Sequence, residues 1–196
     1  MKVIAGVDEV GRGSLIGPVY AAAVILNKKI NKKIIKDSKK LTKIQRQNLA
    51  KYIKKNSIWA LGSASVKEIE NLNILNASLL SMRRAIKKLK LKPEKVLVDG
   101  NKSPDLKNYI IKTVIKGDEK IPEISAASII AKVERDRLMK KMSFSFEKYG
   151  WDSNAGYGTK NHIKAIKKFG ITQFHRKTFQ PLSLIHISEP TRRSMI

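Results

Sequence analysis

The sequence predicts an α/β protein built on one sheet of mixed direction. Three observations lead there. Apolar runs bounded by Gly, Pro or acids read as strands near the N-terminus, and later runs alternate with helix-period segments. At 196 residues the chain has the length of one domain, or of one domain with a small appendage. Its hydrophobic fraction of 42% suits a soluble globular core.

In order, residues 2–7 read as a strand that ends in the acids Asp8 and Glu9, and Gly11, Gly13 and Gly17-Pro18 punctuate the loop that follows. Residues 19–26 are an unbroken apolar run, the mark of a buried strand. Thr42 and Gln45 have capping-box spacing. The helix after them, over 43–54, carries Ile44, Leu49, Tyr52 and Ile53 near one face. Residues 57–66 form a third strand. A helix over 69–89 places Leu72, Leu75, Leu79, Met82, Ile86 and Leu89 at spacings of three and four, and Pro93 stops it. Residues 95–98 form a strand that ends at Asp99, and 109–115 another, followed by Gly117 and Asp118. A helix over 125–142 draws apolar positions from Ala127, Ile130, Ala131, Val133 and Leu138, and a last helix spans 160–169. Trp59, Phe146 and Trp151 are assigned to the core.

Lys and Arg together number 41 and Asp and Glu 16, which leaves a net charge of +25. Such an imbalance favours a polyanionic partner, because lysines near phosphates release condensed counterions. The wealth of Lys, Ile and Asn has a second source in AT-rich coding, which puts lysines on solvated faces. The absence of cysteine excludes a disulfide scaffold, a thiol nucleophile and a thiolate metal site, and fits a cytoplasmic location. The longest apolar run, 19–26, is far too short to span a bilayer, and acids stand where an export signal needs apolar residues. No membrane association is expected, and a monomer is the default.

Few acids are available, so those at strand ends need a reason. Asp8 with Glu9, Asp99 and Asp118 each follow a strand-like segment, where chemistry gathers in open α/β sheets. Converging carboxylates repel unless cations hold them. Oxygen-only ligands suit Mg²⁺ or Mn²⁺, and two such ions can clamp both reacting oxygens of a phosphodiester. Taken singly, each acid reads as a turn residue or helix cap. The run Asp8-Glu9-Val10-Gly11-Arg12-Gly13 adds a forked donor between glycines that admit close backbone approach. His162 is assigned to the surface or to a cap. Glu134, Arg135 and Asp136 are assigned to helical pairing with Arg137, Lys140 and Lys141, and Asp37 and Asp105 to turns.

Several separate words stand in one order: Gly6-Val7-Asp8-Glu9-Val10-Gly11-Arg12-Gly13, Gly17-Pro18-Val19, Asp37-Ser38-Lys39-Lys40-Leu41-Thr42, Val98-Asp99-Gly100, Lys116-Gly117-Asp118, Ser125-Ala126-Ala127-Ser128-Ile129-Ile130-Ala131-Lys132-Val133, Gly156-Tyr157-Gly158-Thr159 and His175-Arg176. In these words, over about residues 2–182, the chain resembles the ribonuclease HII family. The resemblance implies the ribonuclease H-like fold, a mixed five-stranded sheet flanked by helices. It implies an endonuclease that uses Mg²⁺ or Mn²⁺ to cut the RNA strand of RNA–DNA hybrids and to cut duplex DNA at single ribonucleotides. The ends left are a 5′-phosphate and a 3′-hydroxyl.

By the same resemblance, Asp8, Glu9, Asp99 and Asp118 hold the metal. Gly11, Arg12 and Gly13 sense the ribose 2′-hydroxyl, the group that separates RNA from DNA. Tyr157 packs on the deoxyribose side, and Lys39, Lys40 and Ser125 match phosphate-contacting segments. The related ribonuclease HIII carries a different residue between the two glycines, so Arg12 favours HII. The rival reading is a basic nucleic-acid-binding protein without catalysis. Residues 183–196 hold no lysine, use paired arginines and match no family word. They are expected to be a foreign or divergent tail on a catalytic domain of residues 1–182.

Overall fold

The computed structural model describes residues 3–36 and 41–184. Five strands, β1 (Ile4–Val10), β2 (Val19–Leu26), β3 (Ser57–Ala64), β4 (Lys95–Asp99) and β5 (Ile110–Val114), form one sheet in the order β3-β2-β1-β4-β5. The first three strands pair antiparallel and the last two add in parallel, so the direction is mixed as expected. Seven helices are described: α1 (Lys32–Lys36), α2 (Lys43–Lys55), α3 (Val66–Lys87), α4 (Gly117–Lys120), α5 (Pro122–Ser143), α6 (Trp151–Asn154) and α7 (Lys160–Phe169).

Strand alternation divides the core. Ala22 and Val24 face a cluster made with Ile35 of α1, Leu49 and Ile53 of α2, and Ile130 and Ala131 of α5. Ala21, Ala23 and Ile25 face the other side with Ala5, Val7, Val96 and Val98, against Met82 and Ile86 of α3. A third cluster packs Leu15 and Ile16 on Met139, Tyr149, Trp151 and Ile166. It joins the loop after β1 to the C-terminal lobe of α6 and α7. Trp151 is fully buried in it, with Phe146 packed against it, and Trp59 is half-buried against the first cluster.

Three helices differ from the periodicity reading. The Thr42 and Gln45 capping box starts α2 as expected, yet Ile44 and Tyr52 are exposed and only Leu49, Ala50 and Ile53 are buried. A second capping box, Ser65 with Glu68, starts α3 earlier than 69. Asn73 then breaks the helix at φ 67°, and its side chain accepts from the Asn76 amide. The break resets the phase, so Leu72 and Leu75 are exposed while Met82 and Ile86 are buried. Helix α5 begins at Pro122, a residue that fits a first turn because its missing N–H has no partner there.

Strand β1 also runs on through the acids rather than stopping before them. Asp8 and Glu9 still pair with Ala22 and Ala21 of β2. At residue 6 the sheet touches α5 so closely that a Cβ would sit 2.1 Å from the Glu123 carbonyl carbon, which only glycine permits. Among the described residues no helix is long and apolar enough to cross a membrane.

Candidate active site

The sheet register brings two of the expected acids together. The parallel ladder of β1 and β4 ends with Val7 opposite Val98, and Asp8 and Asp99 are the next residue along each strand. Val7 and Val98 both face α3, so by alternation Asp8 and Asp99 both face α5. Glu9 follows with the opposite parity. Its carboxylate pairs instead with Arg12, Oε1 to Nη1 at 3.1 Å.

Helix α5 completes the pocket by simple arithmetic. From the Gly6–Glu123 contact, two strand residues advance about 6.6 Å. Five helix residues advance about 7.5 Å. Ser128 therefore arrives over Asp8, and its side chain hydrogen-bonds the carboxyl. The Glu9 amide donates to Asp8 Oδ1 at 2.7 Å. Burial, at 6% exposure, pushes the Asp8 carboxyl well above the ordinary carboxylate range. The charges of Glu9 and Asp99 raise it further, and the bonds from Ser128 and the Glu9 amide only partly oppose them.

Asp118 is the second residue of α4. That helix is tied to β4 because the Gly117 amide donates to Asp99 Oδ1 at 2.7 Å. Among the described residues no three acids or histidines are grouped tightly enough to hold one ion. Asp8 and Asp99 fit a hard divalent cation on their own chemistry: oxygen donors, one buried, with negative charge on both sides of it.

The other expected residues fall in three places. Gly11 ends β1 in the left-handed region at φ 90°, and Arg12 and Gly13 are exposed beside it. Tyr157 lies on a segment bonded to the same loop. The Gly156 carbonyl accepts from the Leu15 amide at 2.8 Å and from Ser14 Oγ at 3.0 Å. Ser125 is buried, and its hydroxyl donates to the Ile35 carbonyl at 3.0 Å. Lys39 and Lys40 lie outside the described residues, as do Asp37 and 185–196; 183 and 184 finish a short 3₁₀ turn, Leu182–Leu184.

Two assignments need correction. His162 is fully buried rather than superficial. Trp151 Nε1 donates to His162 Nε2 at 3.0 Å, and an indole can only donate, so the proton sits on Nδ1, which donates to the Tyr157 carbonyl at 2.9 Å. Arg135 is also fully buried, without the helical ion pairs expected of it, while Glu134 pairs with Lys54 and Asp136 with Lys132. The signal was present: Arg135 sits four residues after Ala131 and four before Met139, on the buried stripe of α5. Ser128, which holds Asp8, gave no such signal of its own.

Comparison with known proteins follows the same lines. A family profile described as Ribonuclease HII matches residues 5–182. A ribonuclease HII of Pelagibacter ubique (strain HTCC1062) is 72% identical over 183 residues, covering 93% of this chain and 98% of its own. The crystal structure of ribonuclease H2 from Pyrococcus horikoshii OT3 superposes with a TM-score of 0.77 at 30% identity, over 94% of this chain and 96% of that one. A Bst-RNase HIII structure in complex with Mn²⁺ shares the fold at a TM-score of 0.68 and 18% identity, over 93% of this chain and 68% of that one.

Proposed function

The chain belongs to the ribonuclease HII family and is a ribonuclease H, and we propose that it cuts next to ribonucleotides embedded in duplex DNA as well as within RNA–DNA hybrids. The observation that carries this reading is Asp8, buried beside Asp99 and Glu9 at the edge of a loop built of Gly11, Arg12 and Gly13. Negative charge is concentrated there, next to groups suited to a ribose.

Asp8, Glu9, Asp99 and Asp118 would hold Mg²⁺ or Mn²⁺. Such cations supply an acidified water for in-line attack and charge stabilisation at the departing 3′-oxygen. The chain's own groups do the rest. Ser128 and the Glu9 amide fix the Asp8 carboxylate, and the Gly117 amide fixes that of Asp99. Arg12 shields the Glu9 charge until Glu9 is engaged. Gly11, Arg12 and Gly13 read the 2′-hydroxyl, and Tyr157, 37% exposed, packs on the neighbouring deoxyribose. Lys39 and Lys40 contact phosphate. Ser125 acts through the chain that leads to them, since its hydroxyl holds Ile35. The ends left are a 5′-phosphate and a 3′-hydroxyl, and such a nick opens the way to removing ribonucleotides during DNA replication and repair. A monomer in the cytoplasm suffices for this chemistry.

The test is cleavage-site mapping on a DNA duplex that carries one ribonucleotide, with Mg²⁺ or Mn²⁺. A single nick on the 5′ side of the ribonucleotide is expected. Binding without nicking under either ion would favour a non-catalytic nucleic-acid-binding protein.

A further inference from the structure

The loop that carries Gly11, Arg12 and Gly13 is remote in sequence from the segment that carries Tyr157; one buried arginine joins them and a second pins the loop. Arg135, on α5, is fully buried. Its Nη1 donates to the Ala155 carbonyl at 2.9 Å and its Nη2 to the Ile16 carbonyl at 3.3 Å. The Tyr157 ring lies 5.8 Å from its Cζ. Gly11 packs so closely on it that a Cβ there would sit 2.2 Å from Nε.

Arg176, also fully buried, grips the same loop from the far end of the chain. Its Nε donates to the Gly17 carbonyl and its Nη1 to the Arg12 carbonyl, both at 2.9 Å. Its amide donates to the Leu15 carbonyl at 2.8 Å. Every carbonyl the two arginines hold belongs to the loop or to the Tyr157 segment.

Packing alone does not explain them. Among the described residues neither arginine forms an ion pair. Arg135 Nε and Arg176 Nη2 are buried without a hydrogen-bond partner. A well-packed apolar side chain would avoid that penalty, so these charges cost stability. The cost is visible in titration as well: burial lowers both guanidinium pKa values, that of Arg176 to about 9, with the charge of Arg135 contributing.

We infer that Arg135 and Arg176 are positioning residues: Arg135 locks the 11–17 loop to the Tyr157 segment and Arg176 holds the loop's own carbonyls in place, so that both halves of the ribose reader stay in register. The inference rests on the reading of Gly11, Arg12, Gly13 and Tyr157 given under the proposed function. A planar fork reaches two carbonyls at fixed angles, which an ammonium cannot do.

The test uses the full-length chain with Arg135→Lys, which keeps the charge and loses the fork, and Arg176→Lys as a second variant should the first fail to fold. Amide exchange is expected to speed up together at 14–17 and 155–158 in Arg135→Lys, and at 14–17 alone in Arg176→Lys, while β1 and β4 stay protected. On a duplex with one ribonucleotide, kcat/KM is expected to fall about 10²-fold, the scale of a misplacement of about 1 Å. KM stays close to the wild-type value, and the cut spreads to neighbouring phosphodiesters. Faster exchange throughout the molecule with the cut position unchanged, or no change in exchange at either segment, overturns the inference. If the wild-type chain itself does not nick this duplex, the ribose-reader reading fails, and the exchange measurement still decides whether Arg135 locks the two segments and Arg176 the loop.

Discussion

The acid end of β1 and the arginine bed beneath the neighbouring loop both bury charge of a single sign, and they cope with it in opposite ways. Asp8 is buried and also crowded by Glu9 and Asp99, and its pKa rises, so a proton can neutralise it. Arg135 and Arg176 stay charged near neutral pH and are held by main-chain carbonyls. The difference assigns different work to each. A buried carboxyl crowded by like charge lacks a counter-cation, which the proposed function supplies as a divalent metal. Two guanidiniums, each fixed to two carbonyls, are scaffold. Helix α5 serves both, with Ser128 over Asp8 and, seven residues later, Arg135 under Gly11.

The sharpest way to break the acid side is Asp99→Asn. It removes the charge of one proposed ligand and leaves the basic surface alone. Cleavage should fall by about 10³-fold, the scale of losing one group that stabilises developing charge. Affinity for duplex, read by gel shift, should hold. Normal cleavage by this variant contradicts the assignment of Asp99.

On the other side, Trp151→Ala should destabilise the fold by about 3–5 kcal/mol through the cavity left in the third cluster. It also removes the donor that fixes the His162 tautomer and, through it, the Tyr157 carbonyl. Urea unfolding measures the first effect and exchange at 155–158 the second. Equal loosening everywhere would deny that Trp151 braces Tyr157.

Acid offers a gentler probe. Burial lowers the pKa of His162, and it lowers that of His175 to about 4 with help from the neighbouring imidazole. Above the ordinary value near 6.5 neither folded nor unfolded histidine binds a proton, and stability is intact. As pH falls from there toward about 4, the unfolded chain gains protons that the folded lobe refuses, and stability is lost. The expected slope is at most about 1.4 kcal/mol per pH unit for each histidine. Trp151 fluorescence should report the lobe loosening in that window. Removing both imidazoles with His162→Gln and His175→Gln should flatten the response, and an unchanged slope would place its origin elsewhere.

Much of this was legible in the sequence because the signals were local. The apolar run at 19–26 is strand β2 to the residue, and the Thr42–Gln45 box starts α2 as written. The convergence of Asp8 and Asp99 followed from strand ends, although β1 runs on through the acids. Pairing across the sheet, which sequence spacing does not carry, decides that Asp8 and Asp99 share a face. The buried arginine escapes sequence reasoning for a related reason: charge signals solvent, while the 3.6-residue period places Arg135 among Ala131 and Met139. His162 and Arg176 are bonded across the lobe to partners that no local pattern names. Lys39 and Lys40 fall outside the described residues.

The claim that Asp8 sits in a seat made for a divalent cation is tested most directly by thermal unfolding of wild type and Asp8→Asn, each with and without Mn²⁺. A carboxyl whose pKa folding raises stabilises the fold only while protonated, and that help is lost as pH climbs through the raised value. At neutral pH without metal, Asp8→Asn should therefore unfold at a higher temperature than wild type. Mn²⁺ should raise the wild-type midpoint and leave the variant unmoved. A variant less stable than wild type without metal, or equal shifts of both proteins with Mn²⁺, would contradict the claim.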